Sequence, residues 1–246
     1  MTSWTPGYRP QEIVNDLITR THRAGATGRA RRWDPPAERA HEHRLPPASP
    51  TTVDPMTVLA LRQATRFYRP TGIDQATMAG VLQAPSSARA ALSTAETVPH
   101  VQILAAAYRV EGLRPGLYDV DAAGTQATFL VDLPPAREWL LQDEFANAPL
   151  VTVVTCDLPA VAAAGAHAHR MVMHQAGVAA HSMWLAAGGR GLSGSIFGGL
   201  VPWGMPLSGF RPGGTRSPLL AFACGFPMSD PAISPWGTAG GWTGGS

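Results

Sequence analysis

The chain has 246 residues, a formal net charge of +2, 45% hydrophobic residues and only 15% charged ones. At roughly 100–200 residues per domain this is one large domain or two small ones, able to bury ~70–75% of its unfolded surface without disulfide staples. The charged share is far below the usual ~25%, which excludes a disordered polyelectrolyte. Two cysteines, Cys156 and Cys224, exclude a disulfide scaffold. Both lie in apolar runs (VTVVTCDL and LLAFACGF), the pattern of buried core thiols in a reducing cytoplasm. All 19 basic residues are arginine, so Schiff-base lysine chemistry and a P-loop lysine are excluded. The near-neutral charge gives no support to a nucleic-acid partner. The opening MTSWTPGYRPQ has no apolar signal core, and no run of ~18 apolar residues suggests a membrane span. The expectation is a soluble, cytoplasmic protein.

Residues 1–55 hold eight arginines and eight prolines with few aliphatic side chains. They cannot build a core of their own and read as an extended Arg/Pro-rich arm, laid over the domain or over a partner subunit, or else binding RNA or a leader peptide. The main domain is expected over 56–228, with a Gly/Trp-rich tail over 229–246. Asp54-Pro55 reads as an N-cap with proline at the first helical position, followed by helix through MTVLALRQAT. Asp74 reads as the cap of a second helix, QATMAGVLQA, with Ile73 and Met78 as its staple. PSSARAALS is expected as a loop. VQILAAAYRV, LYDVD and TQATFLVD read as strands, the first two joined by the turn residues GLRPG. PAREWLLQDEFANA reads as a helix and PLVTVVTCDL as a buried strand. Residues 161–188 read as one long helix, apolar nearly all round and so buried on all sides. GSIFGGL reads as a glycine-rich loop or strand end and SPLLAFACGFP as the last buried strand. This order fits an α+β fold better than βαβ alternation.

Four constellations carry potential chemistry. Arg62 and Arg66, in Arg62-Gln63-Ala64-Thr65-Arg66, are four apart; on a helix they share a face and close on one phosphate, or else form a solvated helix end. Pro85-Ser86-Ser87-Ala88-Arg89 offers hydroxyls and a guanidinium to a polar ring edge, or is a plain turn. Gly194-Ser195-Ile196-Phe197-Gly198-Gly199 lets backbone approach a flat ligand and leaves amides free to donate. His167, His169, His174 and His181 lie on the long helix. Seven residues rise ~10.5 Å, too far for the 167–174–181 set to share one metal, so no metal site is expected. His167 and His169, at the helix start, are candidate proton donors or acceptors. No GxGxxG, GxSxG or HExxH occurs in a context that would place a nucleotide, serine-hydrolase or zinc-protease site.

Together these pieces resemble the nitroreductase-like flavoprotein superfamily. In it an Arg-x-Ser-x-Arg/Lys segment, a Pro-Ser loop one helix later and a late glycine-rich loop surround one FMN. Tyr108 to Asp119 (YRVEGLRPGLYD) resembles the VxGLxPGxYxYD segment of the SagB-type branch, dehydrogenases that form thiazole and oxazole rings in ribosomal peptides. Ala148-Pro149-Leu150-Val151, and the run from His169-Arg170 through Gly177 to Leu185-Ala186-Ala187, resemble its core strand and long helix. The resemblance implies a mostly antiparallel central sheet flanked by helices, and a long helix buried in a dimer interface. It implies FMN held by Arg62, Gln63, Ala64 and Arg66 at the phosphate and by Pro85, Ser86, Ser87 and Arg89 at the pyrimidine end. Gly198 or Gly199 would donate to N5, and Arg216 (or Arg211) would replace the basic residues some relatives carry after the last strand. It further implies a peptide or small-molecule substrate, a homodimer or a heterodimer with a related chain, and a cyclodehydratase partner. The chain departs from the pattern in four of its motif positions. Ala64 replaces the phosphate-binding serine, Ala163-Ala164 stand at the branch's Lys-Tyr pair, and Val178 and His181-Ser182 replace His and Gln-Asn. A general NAD(P)H-dependent nitro- or quinone-type reductase and a non-catalytic scaffold stand as alternatives.

Overall fold

The computed structural model describes residues 42–91, 100–136, 140, 142–200, 208–211 and 214–228. Most of the arm (1–41) and the tail (229–246) lie outside them. The described elements are β1 (Glu42–Arg44), α1 (Pro55–Leu61), α2 (Gln75–Ala91), β2 (Gln102–Ala107), β3 (Gly116–Val120), β4 (Gln126–Val131), β5 (Leu150–Asp157), α3 (Leu158–Ala163), α4 (Gly165–Gly188), β6 (Ser193–Phe197), β7 (Ser208–Arg211) and β8 (Gly214–Gly225).

The strands form one sheet in the order β1-β4-β3-β2-β5-β8-β6, with β7 also on β8. Every pairing between these named strands is antiparallel. The central strands are apolar at almost every position because both faces are covered. On one face Ala105, Tyr118, Val154 and Phe222 pack with Met78, Val81 and Leu82 of α2 and Ala176, Ala179 and Met183 of α4. On the other, Leu104, Leu117, Val151, Val153 and Ala221 pack with Tyr68, Leu140, Phe145 and Phe197. The two-residue period of each strand sorts these two sets.

Local chemistry sets most element starts. The Asp54 carboxylate accepts from Thr57 N at 3.0 Å, with Pro55 at the first helical position. Asp74 accepts from Thr77 N at 2.6 Å, and Ile73 and Met78 are both buried in the core beside it. Asp157 caps α3 through Ala160 N at 3.1 Å. The β3–β4 turn closes on Asp121, which accepts from Thr125 N (2.6 Å) and Gln126 N (2.8 Å), and Gly124 supplies the positive φ of 73°. The described end of the arm is laid across the domain. β1 pairs with β4, Leu45 is buried, and Thr52 N donates to Gly189 O at 2.8 Å.

Four elements differ from the sequence reading. α1 stops at Leu61 rather than running through Thr65, because residues 62–66 are drawn to the sheet. α2 continues through Pro85 to Ala91 where a loop was expected. Residues 137–139 and 141 of the expected helix over 135–148 lie outside the described set. Leu140 bridges to Leu200, and Asp143–Phe145 form a 3-10 turn instead of helix; burying Phe145 against the sheet overrides propensity there. The 161–188 helix is two helices, α3 and α4, broken where Gly165 takes φ 87°. Within one chain α4 is buried on one face only: Ala168, Val172, Ala176 and Met183 face inward, while His167, Arg170, Met173, His174 and Gly177 are exposed. No described helix is long and apolar enough to cross a membrane.

Candidate functional site

Arg62, the C-cap of α1, turns out of the helix into extended backbone (φ −61°, ψ 131°). The chain then runs alongside β6: Ala64 bridges to Gly194 in parallel, and Thr65 N donates to Gly194 O at 3.0 Å. Gly194 also lets β6 lie against the Phe222 ring of β8, with which a Cβ there would collide. The buried Tyr68 hydroxyl fixes the far end, lying 2.5 Å from Thr65 O and 3.2 Å from Ala223 O. Two of the sequence constellations, Arg62–Arg66 and Gly194–Gly199, are thus joined by the fold.

Arg62 and Arg66 do not share a helix face as expected; each guanidinium has its own neighbour. Arg62 lies over the Trp184 ring of α4, 4.6 Å from its centroid. Arg66 stands 3.8 Å from the Glu144 carboxylate, and its side chain is 54% exposed. Beside Glu144, Phe145 stacks on Phe197 at 4.2 Å, which seats the 3-10 turn against the end of β6. Gly198 follows, exposed and with open space about its Cα. The Arg62–Arg66 segment thus presents two exposed cations, groups able to attract an anion, beside a strand end where Gly198 leaves the backbone open to a flat group.

The other predicted residues are placed differently. Pro85, Ser86, Ser87 and Arg89 lie in α2. Ser86 Oγ is 3.0 Å from Gln83 O and 3.2 Å from Ala123 O, Ser87 Oγ is 3.5 Å from Gln83 O, and Arg89 donates to Ala122 O at 2.9 Å. These groups tie α2 to the β3–β4 turn, although Ser87 also lines a hollow of about 310 Å³ shared with Val58 of α1 and Leu185 of α4. Arg216 is buried and makes a bidentate pair with Asp119 (2.8 and 2.9 Å), a structural use that competes with holding a cofactor. The side chain of Arg211 lies outside the described set. Gln63 and Ala64 are exposed beside β6. His167 is exposed and His169 half-buried, its Nδ1 without a hydrogen-bond partner. At ~1.5 Å per residue they lie about 26 and 22 Å along α4 from Trp184, so neither is at the arginine end of the helix. Among the described residues, no three His, Cys, Asp or Glu side chains gather to hold a metal.

Trp184, Glu144 and the Phe145–Phe197 stack are site elements the sequence reading missed. No spacing rule pairs Arg62 with a residue on a helix so much later in the chain. The exposed face of α4 adds a groove of about 470 Å³, lined by Met173, His174, Gly177, Val178, His181 and Leu185 among others. Both thiols are core groups: Cys156 and Cys224 are fully buried and burial pushes each up to about 12, so neither is a nucleophile.

No protein-family model matches the chain, and no curated protein sequence matches it. Solved structures do. A protein described as a nitroreductase from Anabaena variabilis superimposes with a TM-score of 0.62 at 18% identity, over 77% of this chain and 42% of the other. This chain thus spans less than half the length of that protein. A second so described, from Ralstonia eutropha, gives 0.58 at 18% identity over 80% and 94%. The E. coli microcin synthetase McbBCD complex, with truncated pro-MccB17 bound, gives 0.52 at 12% identity over 92% of this chain and 99% of the matched one. At these identities the likeness is one of fold: the α+β architecture of this chain is the nitroreductase-like fold.

Proposed function

We propose that the chain is an FMN-dependent oxidoreductase, a dehydrogenase acting on azoline (thiazoline or oxazoline) rings, or a related group, of a ribosomal peptide product. The observation that supports the reading is the bridge that lays the exposed Arg62–Arg66 segment beside the Gly194–Gly199 strand end in this fold. The residues present fit FMN: two exposed guanidiniums suit its phosphate, and the open space at Gly198 admits a ring against backbone. FMN bound here would supply hydride acceptance and donation. The chain's part is to clamp the phosphate with Arg62 and Arg66, donate from the Gly198 or Gly199 amide, and shield the ring from water. Pro85, Ser86, Ser87 and Arg89 stay with the framework, and Arg216 with Asp119.

The peptide substrate and a cyclodehydratase partner are favoured by the McbBCD match, which spans both chains almost completely. A second copy across the exposed face of α4 would complete the site as a homodimer. His167 and His169 are the proposed proton-exchange residues, and their distance from Arg62 within one chain makes that role depend on such a partner.

One observation favours a second reading. Ala163 and Ala164, where the resemblance implies a Lys-Tyr pair, lie exposed at the α3–α4 break and carry no protonatable group. A general NAD(P)H-dependent reductase, or a scaffold without flavin, needs none there. The visible spectrum of the purified protein, before and after anaerobic NADPH, separates the three. Flavin bands that survive NADPH support the peptide dehydrogenase, and rapid bleaching supports the reductase. No bands after addition of FMN leaves the scaffold.

A further inference from the structure

We infer that Trp184 is a positioning residue for the phosphate-binding arginine: its ring pre-orients Arg62 and so sets the affinity for the phosphorylated flavin. The inference rests on the FMN reading above and concerns a residue outside the arginine and glycine motifs that led to it.

Arg62 leaves α1 in extended backbone with no described hydrogen-bond or ion-pair partner for its guanidinium, so the Trp184 ring at 4.6 Å is what orients it. A free arginine side chain loses much rotamer freedom when it binds an anion, and a stacked one has already lost it. The ring supplies attraction through its face while leaving the guanidinium edge, with its N–H donors, free for phosphate oxygens. Trp184 can do this because α4 holds it: the ring is half-buried and packs on the core that includes Met183 and Ala187. Arg66 differs. A carboxylate oxygen of Glu144 stands 3.8 Å from one of its guanidinium nitrogens, too far for a hydrogen bond but close enough to repel a phosphate bound there. The two arginines are therefore unequal, Arg62 stacked on a ring and Arg66 set beside a carboxylate.

The test compares FMN with riboflavin, which has the same ring and no phosphate, by flavin-fluorescence titration of the full chain. Trp184→Leu is expected to weaken FMN about five- to tenfold while changing riboflavin less than twofold. Trp184→Phe, which keeps a ring face, should recover most of the loss. In an Arg62→Ala background Trp184→Leu should add nothing. Equal loss of both flavins with no rescue by Trp184→Phe would assign the ring to core packing and overturn the inference, as would unchanged or tighter FMN binding by Trp184→Leu. A wild-type chain that binds riboflavin and FMN equally overturns the inference and the phosphate role of Arg62 together. One that binds neither overturns the FMN reading itself.

Discussion

At the scale of single residues, Ala64 is the most informative departure in the candidate site. It sits between Arg62 and Arg66 on the extended segment beside Gly194, exposed and with its backbone fixed by the bridge to β6. A hydroxyl there would donate to an anion held by the two arginines, and such a bond contributes about 1 kcal/mol net. Ala64→Ser is therefore expected to tighten FMN binding roughly three- to tenfold with riboflavin unaffected. An unchanged FMN dissociation constant would move the phosphate away from this segment. The same reasoning shows why Arg216 does not stand in for a missing phosphate ligand: its guanidinium is buried and already paired on two nitrogens with Asp119.

At the scale of elements, the sharpest disagreement between local chemistry and fold is Pro85. Proline and two serines normally end a helix, which is why a loop is expected there. In the structure α2 runs on to Ala91, and the Ser86 and Ser87 hydroxyls lie near carbonyls of the preceding turn. Pro85→Ala should then stabilise the fold by about 1–3 kcal/mol, because it restores a helix donor and removes a ring that clashes with the previous turn. In a loop the same change would be neutral or destabilising. The urea midpoint decides between them. Strand identity and helix starts were legible because they are local: apolar runs covered on both sides, Asp54 and Asp74 as caps, and GLRPG as the turn between β2 and β3, where Gly112 takes φ 72°. What was not legible depends on partners distant in sequence. Helix propensity continues past Leu61, but Gly194 and Tyr68 capture residues 64 and 65 for the sheet. The 3-10 turn at Phe145 likewise follows from packing, whereas the break at Gly165 is local, set by its positive φ. The arginine and glycine halves of the site could be read separately, but their juxtaposition, and Trp184 and Glu144, could not.

At the scale of the whole molecule, α4 turns one face to the core and leaves Met173, His174 and Gly177 open. The proposed homodimer uses that face. Gly177 has free space where a Cβ would be, so Gly177→Glu should leave the protomer folded while placing a charge in the interface. Sedimentation velocity is expected to show a wild-type dimer and a Gly177→Glu monomer with unchanged circular dichroism. A wild-type monomer at tens of micromolar would sink the homodimer proposal.

The two-sided core also fixes how stability responds to alkali. Burial raises the Cys156 and Cys224 thiols from 9.0 to about 12 and the Tyr118 hydroxyl from 10.0 to about 12, and lifts Tyr68 further. Below pH 9 these groups are protonated in the folded and unfolded chains alike, so they add no pH dependence. Between 9 and about 12 the unfolded chain gives up protons that the folded chain retains, so unfolding is favoured and stability falls as pH rises. By pH 10 each thiol should account for about 1 kcal/mol of that loss. Urea midpoints measured from pH 8 to 10.5 should decline, and the Cys156→Ala/Cys224→Ala chain should decline less steeply from a lower starting point. Two thiols that both react with Ellman's reagent in the native protein at pH 8 would place them outside the core and remove the basis for the slope. Because Cys156 and Cys224 lie on the paired central strands β5 and β8, packed on the side that α4 covers, the same titration reports whether that face of the sheet stays covered until the whole domain unfolds.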